Sequence, residues 1–210
     1  DMRVTDRKWL EKKLDALVKA KGDDAFNFTL PGGLAVRAPS LVSAFAQVVK
    51  IRCERLGVFE MEEGECFPVL DAMFAPNQEP KSGPDGTIGW MVDVKNPNTG
   101  DDFVLGVKEL TLPNGQERPY SFWLAGEYPR TLDGLCKLLS LDARVMDIAW
   151  IGMKLRKLLN YGEPLGDFLA RVPGSEKQKC YPSTVAYIAQ LLIHRYATLG
   201  LLTEEGHPVE

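Results

Sequence analysis

The sequence contains few of the residues on which enzymes most often depend. Histidine, the commonest general base and metal ligand, occurs only at His194 and His207 in 210 residues. His207 stands in a polar tail. His194 falls near the end of the last predicted helix, where a surface or capping role is a simpler interpretation than a catalytic one. A Ser-His-Asp or Cys-His catalyst is therefore poorly supported.

Closely spaced cysteines are also missing. A structural zinc site typically uses pairs such as Cys-x-x-Cys, because two ligands two residues apart can reach one tetrahedral ion. The chain has no such pair, and no apolar signal segment is visible at its start. We interpret its cysteines as reduced thiols of a cytoplasmic protein, with a redox pair between distant cysteines as the alternative. They are Cys53, Cys66, Cys136 and Cys180.

Three further absences exclude other classes of protein. No run of about 18 apolar residues occurs, so no transmembrane helix is expected. The net charge is −4 and the pI is about 5.4, which argues against non-specific binding of nucleic acid. The glycines at 32–33 lack the lysine of a phosphate-binding loop, and the acidic runs at 60–65 and 101–102 lack the spacing of a metal loop. We expect no metal or cofactor to be bound by this chain.

The residues that are present indicate a globular α+β protein. Hydrophobic residues make up 45% of the chain and charged residues 26%, which suits a protein with a buried core. The apolar periodicity predicts helices at 5–20, with Thr5 as candidate N-cap, and at 40–55. A short strand is predicted between them at 26–30. The apolar residues of the second helix are expected on one face, and they are Leu41, Phe45, Val48 and Val49.

Residues 87–125 show the alternation that is typical of strands. Residues 88–94 alternate, a second β stretch covers 103–112, and a third covers 120–124. Asn114-Gly115 separates the second from the third and is a strong hairpin signal. We therefore predict a three-stranded antiparallel meander, or a slightly larger sheet. Three strands with one apolar face need a covering layer.

The C-terminal half predicts helices that can cover this sheet. Asp147 is a suitable N-cap for the second of them, and Pro164 suits the first turn of a short third helix. The predicted helices cover 131–145, 148–160, 163–170 and a last stretch that Ser183 caps and that runs to about Leu199.

A loop-like segment at 76–86 is rich in proline, glycine and polar residues. We interpret it as a mobile loop or as a boundary within the chain. On the second interpretation, residues 1–75 form a mixed N-terminal segment with helices, and residues 87–210 form an α+β domain.

Two regions are candidates for contact with a ligand or a partner. Trp123 and Arg130 lie where a strand passes into a helix that begins near Thr131. The start of a helix beside an arginine attracts carboxylate or phosphate, although a plain structural connection is the alternative. A basic region follows, and its charge suits a protein partner as well as a nucleotide. Its residues are Arg144, Lys154, Arg156, Lys157 and Arg171.

The most distinctive pattern lies at 126–145 and reads GEYPRTLDGLCKLLSLDARV. Together with YGEPL at 161–165, PGSEK at 173–177 and YPSTVAYI at 181–188, it resembles the C-terminal TSCPD-type domain of adenosylcobalamin-dependent (class II) ribonucleotide reductases. In that domain a β-meander precedes a helix with a Leu-Leu-Ser-Leu pattern that ends in arginine. The resemblance covers roughly residues 87–202. It is closest to the small separate subunit found where such a reductase consists of two chains.

The resemblance implies a non-catalytic accessory subunit that supports deoxyribonucleotide synthesis. In that family the cobalamin site, the active-site cysteines and the substrate loops belong to the large catalytic subunit. The resemblance therefore implies adenosylcobalamin on the partner and no catalytic, cofactor-binding or metal-binding residue here. The expected contact surface comprises the helices between Leu132 and Leu159 and the strand end at Trp123.

A second hypothesis belongs to another class of protein. It describes a free-standing regulatory module that binds a nucleotide or another anion, or a protein, through Arg130, Arg144 and the helix start at Thr131. The sequence is also compatible with a homo-oligomer.

Overall fold

The computed structural model describes residues 6–209 and begins with a helical N-terminal segment. Asp6 caps the first helix, because its carboxylate accepts a hydrogen bond of 2.8 Å from the backbone N–H of Trp9. The predicted cap, Thr5, lies outside the described residues. Ser40 caps the second long helix through the N–H of Ser43 at 3.0 Å. The elements of this segment are helix α1 (Arg7–Val18), strands β1 (Phe26–Thr29) and β2 (Ala35–Ala38), and helices α2 (Leu41–Arg55) and α3 (Pro68–Asp71).

The apolar stripe predicted along α2 faces the interior only in part, because Val49 packs against the cluster of Leu14, Ala46 and Cys53 while the start of the stripe is exposed. Leu41 is 69% exposed and Phe45 is 66% exposed. The helix instead packs on α1 through smaller side chains, and Ser43 Oγ donates a hydrogen bond of 2.5 Å to the carbonyl of Val18. Large side chains on that side would hold the two helices further apart. The buried residues of α2 are Ser43, Ala44, Ala46 and Cys53.

The predicted meander is confirmed as an antiparallel sheet in the order β3-β4-β5. The turn at Asn114-Gly115 joins the last two strands, and Gly115 has a φ of +81°, which favours glycine. One face of the sheet carries the main apolar core, formed by Val94, Phe103, Leu105, Val107, Phe122 and Leu124. The strands are β3 (Gly89–Asn96), β4 (Asp101–Thr111) and β5 (Glu117–Glu127).

Helices of the C-terminal half cover the sheet, as predicted, although three of them are present where four were expected within the described residues. The last helix packs on the apolar face through Ile188, Leu192 and Tyr196, all of which are almost fully buried. The caps predicted at Asp147 and Ser183 are confirmed by hydrogen bonds from the backbone N–H groups two and three residues later. Within residues 6–209 no helix has both the length and the hydrophobicity needed to cross a membrane. The helices are α4 (Thr131–Ala143), α5 (Ile148–Leu158) and α6 (Thr184–Thr198).

The prediction of a short helix at 163–170 is wrong. Strands β6 (Phe168–Arg171) and β7 (Gln178–Tyr181) form an antiparallel hairpin there. The side chain of Phe168 is buried between aromatic rings, with centroid distances of 6.3 Å to Tyr181 and 5.6 Å to Tyr187. Because an extended strand turns alternate residues to opposite sides, it buries Phe168 and leaves Leu169 exposed. This aromatic packing outweighs the weak helical signal of the preceding proline.

A buried ion pair joins the N-terminal segment to the helices that follow the sheet. Lys13 Nζ on α1 lies 2.7 Å from both carboxylate oxygens of Asp142 on α4. Trp150 Nε1 donates a third hydrogen bond of 2.7 Å to the same carboxylate, and Trp150 packs edge-on against Trp9. Burial of the ammonium lowers the pKa of Lys13 to about 8, against the opposing attraction of Asp142. These contacts hold α1 against α4 and set the distance between them.

Candidate functional site

A cleft with a volume of about 820 Å³ lies between α1, α4, residues 77–79 and the outer face of the meander. The outer face of the meander is the face opposite the apolar core. Cationic side chains reach the cleft from both helices and from β4, whereas only two carboxylates line it, Asp15 and Glu79. The cations are Lys12, Lys19, Lys108, Lys137 and Arg144.

Both carboxylates of the cleft are already engaged by a lysine. Asp15 Oδ1 lies 2.5 Å from Nζ of Lys50, a residue that does not line the cleft. Glu79 Oε1 lies 3.5 Å from Nζ of Lys108. In the part of the chain that the structure describes, no carboxylate forms an ion pair with the other four cations of the cleft. Those four are Lys12, Lys19, Lys137 and Arg144, which we call the cation set.

Arg144 is the most deeply buried member of the cation set. Its side chain is held in place because Nε donates a hydrogen bond of 3.1 Å to the carbonyl of Ser140, one turn earlier in the chain. Burial lowers the pKa of Arg144, although the guanidinium stays charged at neutral pH. Within residues 6–209 its two terminal NH₂ groups donate to no protein acceptor, and the residue lines the cleft. They are therefore available to a ligand.

The cations of the cleft repel one another. Burial lowers the pKa of Lys12, and the positive charges of Arg144 and Lys19 lower it further, while Asp15 opposes this effect. A bound anion would remove this repulsion. The cleft is thus a region of positive potential on a chain whose net charge is negative.

Trp123 forms a flat wall on the outer face of the meander. Its ring lies over Gly106 on the neighbouring strand, so that a Cβ on Gly106 would lie 2.1 Å from Cε2 and 2.3 Å from Cζ2 of the ring. One side of the indole therefore packs against backbone, and 37% of the residue stays exposed. Trp123 also lines an adjoining cavity of about 300 Å³, together with Lys19 and Lys137.

The residues predicted as contacts lie in separate places. Trp123 and Arg144, which belong to different candidate regions of the sequence, line the same cleft. Arg130 and Thr131 lie at the opposite end of α4 from Arg144 and are exposed. The structure thus brings together two of these four residues.

Arg130 is already engaged at the start of α4. Its guanidinium lies 4.6 Å from the ring centroid of Tyr128, donates a hydrogen bond of 2.6 Å to the phenol oxygen, and lies 3.3 Å from Asp23 Oδ1. The phenol in turn donates to Asp133 Oδ1 at 3.1 Å. We therefore interpret this helix start as a structural link to the N-terminal segment rather than as the main anion site.

The three basic residues of the predicted region that belong to α5, Lys154, Arg156 and Lys157, do not line the cleft. Lys154 Nζ lies 4.5 Å from the ring centroid of Trp150, and Arg156 donates to the carbonyl of Gly206. Most leucines of the expected contact surface also face inward, because Leu132, Leu139 and Leu155 are buried in the main core. A contact in this region would have to use the exposed residues of these helices.

Sequence reasoning missed Lys12, Lys19, Lys108 and Lys137. A local signal was nevertheless present, since Lys12 and Lys19 are seven residues apart, as are Lys137 and Arg144. Seven residues make two helical turns, so each pair shares one side of its own helix. Nothing in either helix indicates that the two sides face each other.

The cysteines and His194 do not form a nucleophilic site. Burial raises the pKa of Cys136 to about 12, so its thiol stays protonated at neutral pH. His194 Nδ1 lies 2.9 Å from Glu204 Oε1, beside the chain that follows α6. All four cysteines are free thiols. Among the described residues, no group of three or more His, Cys, Asp or Glu side chains is arranged to hold a metal ion.

The chemistry that this arrangement supports is the binding of an anion. The cation set supplies positive charge and N–H donors, and Trp123 supplies a flat apolar surface beside them. The chain matches no family model, no curated protein and no solved structure.

Proposed function

We propose that this chain is an accessory subunit that binds and supports a cobalamin-dependent ribonucleotide reductase. The cofactor and the reacting cysteines would belong to the large catalytic chain. The proposal rests on the resemblance of residues 87–202 to the TSCPD-type domain. The observation that supports it best is the structural role of the residues that carry the resemblance.

The serine of the Leu-Leu-Ser-Leu pattern joins a helix to a strand. Ser140 Oγ accepts a hydrogen bond of 2.9 Å from the backbone N–H of Phe122 and donates one of 2.6 Å to the carbonyl of Cys136. It thereby satisfies a backbone donor on the open edge of β5. The leucines on either side of it, Leu139 and Leu141, are buried. The pattern therefore combines apolar packing with a specific helix-to-strand hydrogen bond.

The Tyr-Pro-Ser-Thr-Val pattern has a similar role at the start of α6. Ser183 caps the helix, and Thr184 Oγ1 donates a hydrogen bond of 2.6 Å to Asp101 Oδ2. The same hydroxyl accepts a hydrogen bond of 3.0 Å from Asn96 Nδ2. These bonds anchor α6 to the turn between β3 and β4. A pattern that serves the fold in this way supports a relationship to a domain that is itself non-catalytic.

We place the contact surface for the large chain on the exposed face of α2 rather than on the helices between Leu132 and Leu159, because the leucines of those helices are buried or half-buried. Leu41 and Phe45 are one helical turn apart and are both largely exposed. Leaving two large apolar side chains in water on one helix face is typical of a surface that a partner covers. Because both side chains are already exposed, replacing them should leave the fold intact.

We expect the purified chain to bind the large catalytic subunit of a class II reductase from the same host. We also expect it to raise the rate of ribonucleotide reduction when adenosylcobalamin is supplied. The double substitution Leu41→Glu/Phe45→Glu should abolish retention on the immobilised large chain. Affinity retention and the yield of deoxyribonucleotide per unit time are the measurements.

A matched control replaces an exposed apolar side chain elsewhere. Leu169→Glu on β6 alters a residue that is as exposed as Phe45 but lies in the C-terminal part of the chain. It should leave both retention and rate unchanged. If the unaltered chain neither binds the large subunit nor changes its rate, the proposed function is wrong. If both variants bind normally, α2 is not the contact surface.

A second candidate function is that of a free-standing nucleotide- or anion-binding regulatory module. The basic cleft is the observation that favours it, although Arg130 and Thr131 lie outside that cleft. Binding of a nucleotide by the isolated chain, with no interaction with any reductase, would favour this second function over the first.

A further inference from the structure

We propose that the cleft between α1 and α4 binds a nucleoside di- or triphosphate. The cation set, defined above as Lys12, Lys19, Lys137 and Arg144, would hold the phosphates, and the base would lie against the exposed part of Trp123. This inference deepens the second candidate function, since both rest on the basic cleft, and it does not depend on binding to a reductase.

The charge of the cleft indicates a ligand with several negative charges. Five cations and two carboxylates give the lining a net charge of about +3 if all groups carry their usual charge at pH 7. Both carboxylates have lysine partners, and one of those lysines stands outside the cleft. A single carboxylate ligand would leave most of this charge unbalanced. A di- or triphosphate carries enough negative charge to balance it.

Arg144 is the part of the site that is least easily explained by the fold. Only 6% of the residue is exposed, and within residues 6–209 its side chain makes one hydrogen bond, through Nε to the carbonyl of Ser140. A guanidinium held so rigidly, with its terminal NH₂ groups unbonded within residues 6–209, is suited to paired hydrogen bonds with phosphate oxygens. The lysines of α1 and α4 would add charge from the two walls, because the ammonium group binds phosphate as a point charge.

The position of Trp123 indicates that the ligand also has a planar ring. An indole that packs with one side on a glycine backbone forms a rigid platform on which a base can stack. The cleft volume of about 820 Å³ falls in the range of cofactor-sized sites, roughly 300–1,000 Å³. The cation set and Trp123 line this same cleft, so a single ligand can contact both.

We expect isothermal titration calorimetry of the full chain to detect ATP binding. Lys12→Gln/Lys137→Gln removes one cation from each wall and should weaken binding at least about tenfold, because charged hydrogen bonds to phosphate are lost. Adenosine should give no measurable binding, since it lacks the phosphates. Inorganic tripolyphosphate should bind about tenfold more weakly than ATP, because it cannot stack on Trp123.

The charge-matched control is Lys157→Gln/Lys177→Gln. Both of these lysines are exposed and lie outside the cleft, and the variant has the same net charge as the first one. It should bind ATP as the unaltered chain does. A second test is Gly106→Ala, whose methyl group would displace the indole ring. It should weaken ATP binding but leave tripolyphosphate binding unchanged.

Three outcomes would overturn the proposal. The first is the absence of ATP binding by the unaltered chain. The second is an equal loss of affinity in the two double variants, which would indicate that only the overall charge matters. The third is binding of tripolyphosphate as tight as that of ATP, which would exclude the stacking of a base. None of these results bears on binding of the large reductase chain, so the two proposals can fail separately.

Discussion

Replacing Lys13 with methionine is expected to lower the free energy of unfolding by about 3–5 kcal/mol. Methionine can fill much of the same space, but it leaves the Asp142 carboxylate in the interior without the Lys13 ammonium, although Trp150 still donates one hydrogen bond to it. A buried carboxylate without its cation is costly because it cannot regain the water that it lost on folding. Urea denaturation followed by tryptophan fluorescence measures the loss.

The paired variant Lys13→Met/Asp142→Asn distinguishes charge from packing. Asparagine keeps an oxygen that can accept the hydrogen bond from Trp150 and carries no charge, so most of the lost stability should return. Replacing a whole buried ion pair is often neutral or stabilising, whereas removing one partner is not. A double variant as unstable as Lys13→Met alone would show that the loss comes from packing instead.

The same pair predicts how stability depends on pH. The pKa of Lys13 is lowered to about 8 in the folded protein, below the ordinary value of 10.5 for a lysine in an unfolded chain. Between these values the unfolded chain binds more protons at this site than the folded chain does. The contribution of Lys13 to stability should therefore rise from about pH 8 to about pH 10.5. The measurement is the difference in unfolding free energy between the unaltered chain and the Lys13→Met/Asp142→Asn variant as a function of pH. The other titratable groups are the same in both chains, so their contributions cancel in this difference.

Gly126→Ala is expected to cost about 2–5 kcal/mol. Gly126 has a φ of +129°, which costs a residue with a side chain roughly 1–2 kcal/mol. Its Cβ would also lie 2.6 Å from the carbonyl oxygen of Asp102 and 2.8 Å from Cα of Phe103. Because both contacts are to backbone, β4 and β5 would have to move apart, which adds about 1–3 kcal/mol.

Gly115→Ala is the matched control for this prediction. Gly115 also has a positive φ, +81°, but no atom lies within 4 Å of where its Cβ would be. Gly115→Ala should therefore lower the free energy of unfolding only by the backbone cost of roughly 1–2 kcal/mol. Urea denaturation measures the loss of unfolding free energy in both variants. Equal losses would mean that the close contact between Gly126 and β4 contributes nothing to the effect of Gly126→Ala.

The elements predicted from the sequence were those that depend on short-range signals. The Asn114-Gly115 turn, and the helix starts at Ser40, Asp147 and Ser183, are formed by residues within a few positions of one another. The capping hydrogen bonds are local, although the hydroxyls of Ser40 and Ser183 also donate to the distant carbonyls of Ala20 and Tyr161. The alternation of β3 to β5 is also local, and it correctly predicted a sheet that needs a cover.

The failures concern packing between distant residues. Residues 163–170 were predicted as a helix because Pro164 suits a first turn, yet Phe168 is held in a strand by Tyr181 and Tyr187. The apolar stripe on α2 was visible in the sequence, but the structure exposes Leu41 and Phe45 and buries small residues of that helix instead. Which side of an amphipathic helix is covered depends on the shape of its neighbour.

The sequence by itself determined the α+β class, the meander, most helix ends and the side of each helix that carries its cations. The cleft was decided only by the tertiary structure. Lys12 and Lys19 face Lys137 and Arg144 because the Lys13–Asp142 ion pair holds α1 against α4 across 129 positions of sequence. Helical periodicity indicates what one helix presents, whereas only packing determines which surface it meets.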